Sequence, residues 1–119
     1  MSDLLDAAVG AGDGARAAWG VLAAAPLAEG WRRELTSKGF IEHDLRFYRG
    51  EDWLFSAVLN DGWVLWYTRK PALRAGLVDG AALQEAFPDA RLNKSGEVLL
   101  RLHDDVQAQA LWDWLKQAP

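Results

Sequence analysis

The chain contains no cysteine, one methionine and four prolines. Without thiols there is no disulfide, thiolate zinc site, iron–sulfur cluster or cysteine nucleophile, so stability must come from packing. No segment is net basic either. The net charge of −4 divides as −1 over residues 1–39, zero over 40–78 and −3 over 79–119. Duplex nucleic acid is held largely by Lys and Arg neutralising phosphates, so non-specific DNA binding is disfavoured. The longest apolar stretch, from Ala15 to Leu27, is interrupted by Arg16 and Gly20 and follows no basic leader. It reads as neither a membrane span nor a signal peptide, which leaves the cytoplasm as the expected location.

What the chain does have is tryptophan, seven in 119 residues, in a composition that is half hydrophobic and a quarter charged. Those proportions belong to a self-supporting globular protein. One domain spanning 1–119 is expected, with residues 1–14 frayed or flexible at Gly10, Gly12 and Gly14, because glycine costs about 1 kcal/mol in a helix interior.

Ser2-Asp3 could cap a first helix carrying Leu4, Leu5, Ala8 and Val9, with helix resuming at Ala15. Pro26 suits the first turn of a further helix that carries Leu27, Trp31 and Leu35 and stops at Gly39. A period of two then takes over: Ile41, His43, Leu45 and Phe47 alternate with Glu42, Asp44 and Arg46. Residues 49–52 read as a four-residue turn. Two apolar runs, Trp53 to Leu59 and Trp63 to Thr68, flank Asp61-Gly62, a pair that favours a type I′ hairpin turn. Lys70-Pro71 should end the second run. Asp79 caps a short helix closed by Pro88, a second hairpin turns at Lys94-Ser95-Gly96, and Asp104-Asp105 cap a last helix. The inner face of that helix is expected to hold Val106, Ala110, Leu111, Trp114 and Leu115, with Trp112 at its border. The fold class is therefore α+β, with N-terminal helices and an antiparallel sheet of about five strands in the order α-α-β-β-β-α-β-β-α.

If Leu59 faces Val64 across the hairpin, Ala57 faces Trp66 and Phe55 faces Thr68. The four-residue turn places Arg46, Tyr48, Trp53, Phe55 and Trp66 on one face, with Leu45, Phe47, Leu54, Val58, Leu65, Trp63 and Tyr67 on the other. Both faces are too apolar for a sheet with one wet side. Either helices or a second copy of the chain cover both, or Arg46, Tyr48, Trp53, Phe55 and Trp66 form a binding platform.

Catalytic chemistry finds little footing. Gly10-Ala11-Gly12-Asp13-Gly14-Ala15 fits a dinucleotide-binding pattern formally, but no strand precedes it and Asp13 would repel a pyrophosphate. Glu42 and Asp44 lie on one strand face beside Arg46, which suits an ion pair better than a general acid. His43 is in phase with apolar strand residues, and His103 beside Asp104 and Asp105 is explained by helix capping more economically than by a metal. No catalytic residue, metal or cofactor is assigned.

The order of helices, three strands, helix, two strands and helix resembles that of the small acidic chaperones of bacterial secretion systems. That resemblance, in topology alone, implies a dimer that binds extended client peptides. The expected function is a non-enzymatic protein-interaction module, a chaperone, adaptor or small inhibitor, whose partner is a protein, a peptide or a second copy of the chain. A small hydrolase using His43 or His103 with a nearby carboxylate is the alternative. Single-stranded nucleic-acid binding is a further one, requiring Arg46, Arg69, Lys70 and Arg74 to line a groove beside Trp66.

Overall fold

Helix α1 (Asp13–Ala24) ends two residues before Pro26, whose ring disfavours helical backbone at Ala25. In the computed structural model, which describes residues 11–38 and 41–117, the chain continues as strands β1 (Trp31–Lys38), β2 (Ile41–Arg49), β3 (Asp52–Leu59) and β4 (Val64–Thr68). Two short helices follow, α2 (Lys70–Arg74) and α3 (Gly80–Ala86), then β5 (Arg91–Leu92), β6 (Val98–Leu102) and helix α4 (Asp105–Gln117). The fold is α+β, with one antiparallel sheet of six strands in the order β1-β2-β3-β4-β6-β5. The expected helix over Ser2 to Val9 lies outside the described residues. No described helix is long and apolar enough to cross a membrane.

The sixth strand stands where a second helix was expected. Trp31 to Lys38 pair with β2, Trp31 opposite Arg49 and Leu35 opposite Leu45, so Trp31, Arg33 and Leu35 share one side. A spacing of four suits a helix turn and two strand periods equally, and the backbone bonds offered by β2 decide between them. Helix α2 is the other addition to an element order that otherwise broadly matches the expected one.

The β3–β4 register is the expected one, with Leu59 opposite Val64, Ala57 opposite Trp66 and Phe55 opposite Thr68. Its turn is not type I′, since neither Asp61 nor Gly62 adopts a left-handed φ. The β2–β3 turn is shorter than expected: Arg49 pairs with Asp52, leaving Gly50 and Glu51 as a two-residue loop with Gly50 at φ 62°. A glycine at that first position relieves the clash a Cβ would meet.

One residue further in, the pairing slips. Phe47 faces Phe55, yet Tyr48 faces Trp53, so Leu54 is an extra residue in β3. Such a bulge turns two neighbours to one side and re-aims the side chains beyond it. Leu54 and Phe55 both join the buried cluster, and Trp53 points the other way with Tyr48.

The helices pack on the side that carries Leu45, Phe47, Phe55, Ala57, Val64, Trp66, Val98, Leu100 and Leu102. Trp19 and Leu22 of α1 and Leu111 of α4 are wholly enclosed there. Helix α4 buries Ala108, Leu111 and Trp112, while Val106 is 71% exposed. The expected stripe is thus rotated: Trp112 is the buried tryptophan, and half-buried Trp114 meets Phe87 edge to face. Asp79 caps α3 by accepting from Ala81 N at 2.9 Å, and Asp104 accepts from Gln107 N at 2.9 Å, as the capping pattern required.

Gly12 and Gly14 dock α1 rather than loosen it. Gly12 N donates to Asp61 O at 2.8 Å, and a Cβ on Gly14 would stand 2.1 Å from His103 O. The glycines let two backbones approach more closely than any side chain allows. Gly10, the first glycine of the formal dinucleotide pattern, lies outside the described residues.

Candidate functional site: the open sheet face

The other side of the sheet has no described helix over it, and none of its side chains belongs to the buried cluster. Cross-strand pairing arranges it in rows. Arg32, Tyr48 and Trp53 make one; Glu34, Arg46, Ser56, Tyr67 and Leu99 the next; Thr36, Asp44, Val58, Leu65 and Arg101 the third. Strand alternation thus sets polar and aromatic residues side by side.

Trp53 is the centre of the site. The guanidinium carbons of Arg46 and Arg69 each lie 3.8 Å from its ring centroid. Two guanidinium groups at that distance cannot share one side of a ring, so they take both, each attracted by the π-electron face. The indole N–H donates to Ser56 Oγ at 2.8 Å and Phe55 O at 3.1 Å, and Arg69 Nη1 donates to Trp53 O at 2.6 Å. The same pairing recurs around it: Arg32 lies 4.3 Å over Tyr48, and Arg101 lies 4.4 Å over Trp63.

Charges beneath this layer hold it in place. Asp44, only 4% exposed, accepts from Arg46 Nε at 2.9 Å, and its second oxygen, Oδ1, has no partner among the described residues. Burial opposes the Arg46 charge, but the hydrogen bonds and charge of Asp44 and Tyr48 outweigh it and raise the guanidinium pKa. Burial, with the nearby charges of Glu97 and Asp44, raises the Tyr67 pKa above its ordinary value. Arg32 pairs with Glu34 at 2.9 Å and Arg69 approaches Glu97 at 3.8 Å. Arg101 has no carboxylate partner among the described residues.

Of the five residues expected to form one platform, the sheet brings Arg46, Tyr48 and Trp53 together. Phe55 and Trp66 lie on the helix-covered side, 7% and 0% exposed, with their rings 5.3 Å apart. The correction has one cause, the extra residue Leu54, which reverses the alternation between Trp53 and Phe55. It also removes the puzzle of two apolar faces, since the open face is mixed. Arg69 and Arg101 were not part of the expected platform; Arg101 was legible as the outward residue between Leu100 and Leu102, whereas Arg69 needed the folded loop after β4.

The other candidates are dispersed. A groove beside Trp66 does not exist, because that ring is wholly enclosed. His43 lies on β2 with a buried Nδ1 that has no partner among the described residues, while its neighbour Asp44 points to the opposite side. His103 is exposed at the β6–α4 junction, 6.4 Å from the Trp63 ring. Neither histidine bonds a carboxylate among the described residues. The Glu42 side chain, the other half of the expected Glu42–Asp44 pair, lies outside the described residues. Among the described residues no group of three metal-ligating side chains comes together. No family model matches this chain, and neither the curated proteins nor the solved structures include one significantly similar to it.

Proposed function

We propose that this protein is a non-enzymatic protein-interaction module, of the adaptor, chaperone or small-inhibitor kind, which takes a partner segment on the open face of its sheet. One observation carries the reading: Trp53 is held between Arg46 and Arg69, 3.8 Å from each, on a face that no described helix covers. Trp, Tyr and Arg dominate interface hot spots, because they combine apolar area with directed donors. A stacked guanidinium has already lost much of its freedom, so less is lost when a partner binds. Each guanidinium has five N–H donors, more than its internal partners use. The partner best matched to Arg101 and its neighbours is an extended segment in which carboxylates alternate with apolar side chains. Base stacking has less support, since both sides of the Trp53 ring are occupied.

The test is fluorescence anisotropy with a labelled peptide of alternating Glu and Leu, against one of alternating Lys and Leu. The Glu peptide should bind, the Lys peptide should not, and Arg101→Glu or Trp53→Ala should each weaken binding about tenfold. Equal binding of both peptides, or indifference to both substitutions, would sink the proposal. Tighter binding of oligothymidylate than of the Glu peptide would replace it with nucleic-acid recognition. A dimer in sedimentation that Trp53→Ala dissociates would make the partner a second copy.

A further inference from the structure

On the covered side, the helices do not close over the end of the sheet nearest the start of β1. A groove of about 620 Å³ remains between the segment linking α1 to β1, the adjoining ends of β1, β2 and β3, and helix α4. That volume lies within the range of small-molecule sites. Leu27, Trp31, Phe47, Phe55, Trp112 and Leu115 make its walls. The aromatic members form two pairs, Trp31 stacked on Phe55 with centroids 5.9 Å apart and Phe47 tilted against Trp112 at 5.6 Å, which makes the walls broad. Two charged side chains line the groove, Arg49 and Lys116, and both are cations. Among the described residues no carboxylate lines it, in a chain whose net charge is −4. Asp113 lies 3.4 Å from the Lys116 ammonium and is half exposed.

We propose that this groove binds a small amphipathic anion, with its apolar or aromatic body between Trp31, Phe47 and Trp112 and its carboxylate or sulfonate head at the rim marked by Arg49 and Lys116. Apolar walls supply the affinity and are indifferent to charge; the two cations select the sign of the head group. This site is separate from the open face, on the opposite side of the sheet, and stands whether or not a protein partner binds there.

The test uses two dyes with nearly the same aromatic body, anilinonaphthalene sulfonate and the uncharged N-phenylnaphthylamine. Binding is read by energy transfer from the wall tryptophans. The sulfonate should bind one per chain, about tenfold tighter than the neutral dye, and decanoate should displace it. The double substitution Arg49→Gln and Lys116→Gln, both at exposed positions, should cost the sulfonate about tenfold and the neutral dye less than about twofold. Ala28→Trp, which fills the exposed rim without entering the core, should remove both dyes. Arg101→Glu, on the open face, should leave the affinities for both dyes unchanged, whatever it does to a partner on that face. Unchanged binding in Ala28→Trp would place the dye elsewhere and overturn the inference. So would equal affinity for the two dyes, or a sulfonate affinity that the double substitution leaves intact. If Ala28→Trp fails to fold, judged by near-UV circular dichroism, the charge substitution decides alone.

Discussion

Trp66 and Trp53 lie on neighbouring strands of one sheet, yet they are held by different physics. Trp66 is wholly enclosed on the covered face, its ring 5.3 Å from Phe55 and 5.4 Å from Phe47, and its N–H donates to Thr68 Oγ1 at 3.2 Å. Trp53, on the open face, is part-buried and braced by two guanidinium groups. Burial removes water from the first ring altogether; stacked cations shield the second while leaving donors in reach of solvent. Aromatic content alone therefore says little about where a binding surface lies. The residue beside the ring, apolar or guanidinium, separates a core from a candidate interface.

The contrast can be broken most directly by truncation. Trp66→Ala should cost about 3–5 kcal/mol of stability, as a large cavity in a closed core does, whereas Trp53→Ala should cost about 1–2 kcal/mol. Urea unfolding of the two variants measures the difference, and comparable losses would mean that the open face is packed as tightly as the core.

A smaller effect probes what holds the covering layer down. Gly14→Ala should destabilise by about 2–3 kcal/mol, because its methyl group would have to displace the His103 carbonyl and lift α1 from the sheet. Gly20→Ala on the same helix meets nothing within 4 Å and should be neutral or slightly stabilising, which makes it the control.

The smallest effect belongs to the open face and depends on pH. The Tyr67 pKa is raised in the folded state, so the folded protein holds that proton more tightly than the unfolded chain. Its contribution is intact below the unfolded tyrosine pKa of about 10 and is lost as pH climbs through the higher folded value. Tyr67→Phe should therefore flatten the fall in melting temperature above about pH 10, with little change at pH 8. An alkaline fall equally steep in the variant would show that other groups cause it.

The local parts of the fold were readable before any contact was known. Asp79 and Asp104 as caps, Lys70-Pro71 as a strand end and the β3–β4 register all follow from chemistry within a few residues, where one side chain meets a backbone group nearby. The β3–β4 pairing came out right although its turn differs in φ, because the register depends on loop length and on which residues suit a buried face. The candidate site was half readable. Arg46, Tyr48 and Trp53 emerge from alternation, but the same alternation assigns Phe55 and Trp66 to their face, and nothing in the residues around Leu54 announces a bulge.

Arg33 shows the same limit from the covered side. Its inward position on β1 lets it donate to Leu22 O at 2.5 Å and to Ala25 O, satisfying carbonyls that the end of α1 leaves open. Burial lowers its pKa, a cost that makes sense only once helix and strand are packed together.

By itself, then, the sequence determined an α+β chain without thiol chemistry, a tryptophan-rich hairpin between Trp53 and Thr68, and the caps of its later helices. Those features rest on interactions between residues close in the chain. Only the tertiary structure decided that Trp31 to Lys38 is a strand, that Leu54 bulges, and that Trp53 and Trp66 part company. A spacing of four serves helix and strand alike, and a bulge depends on what its partner strand and the core beneath can accept. Such choices are settled by distant segments, which local periodicity does not see.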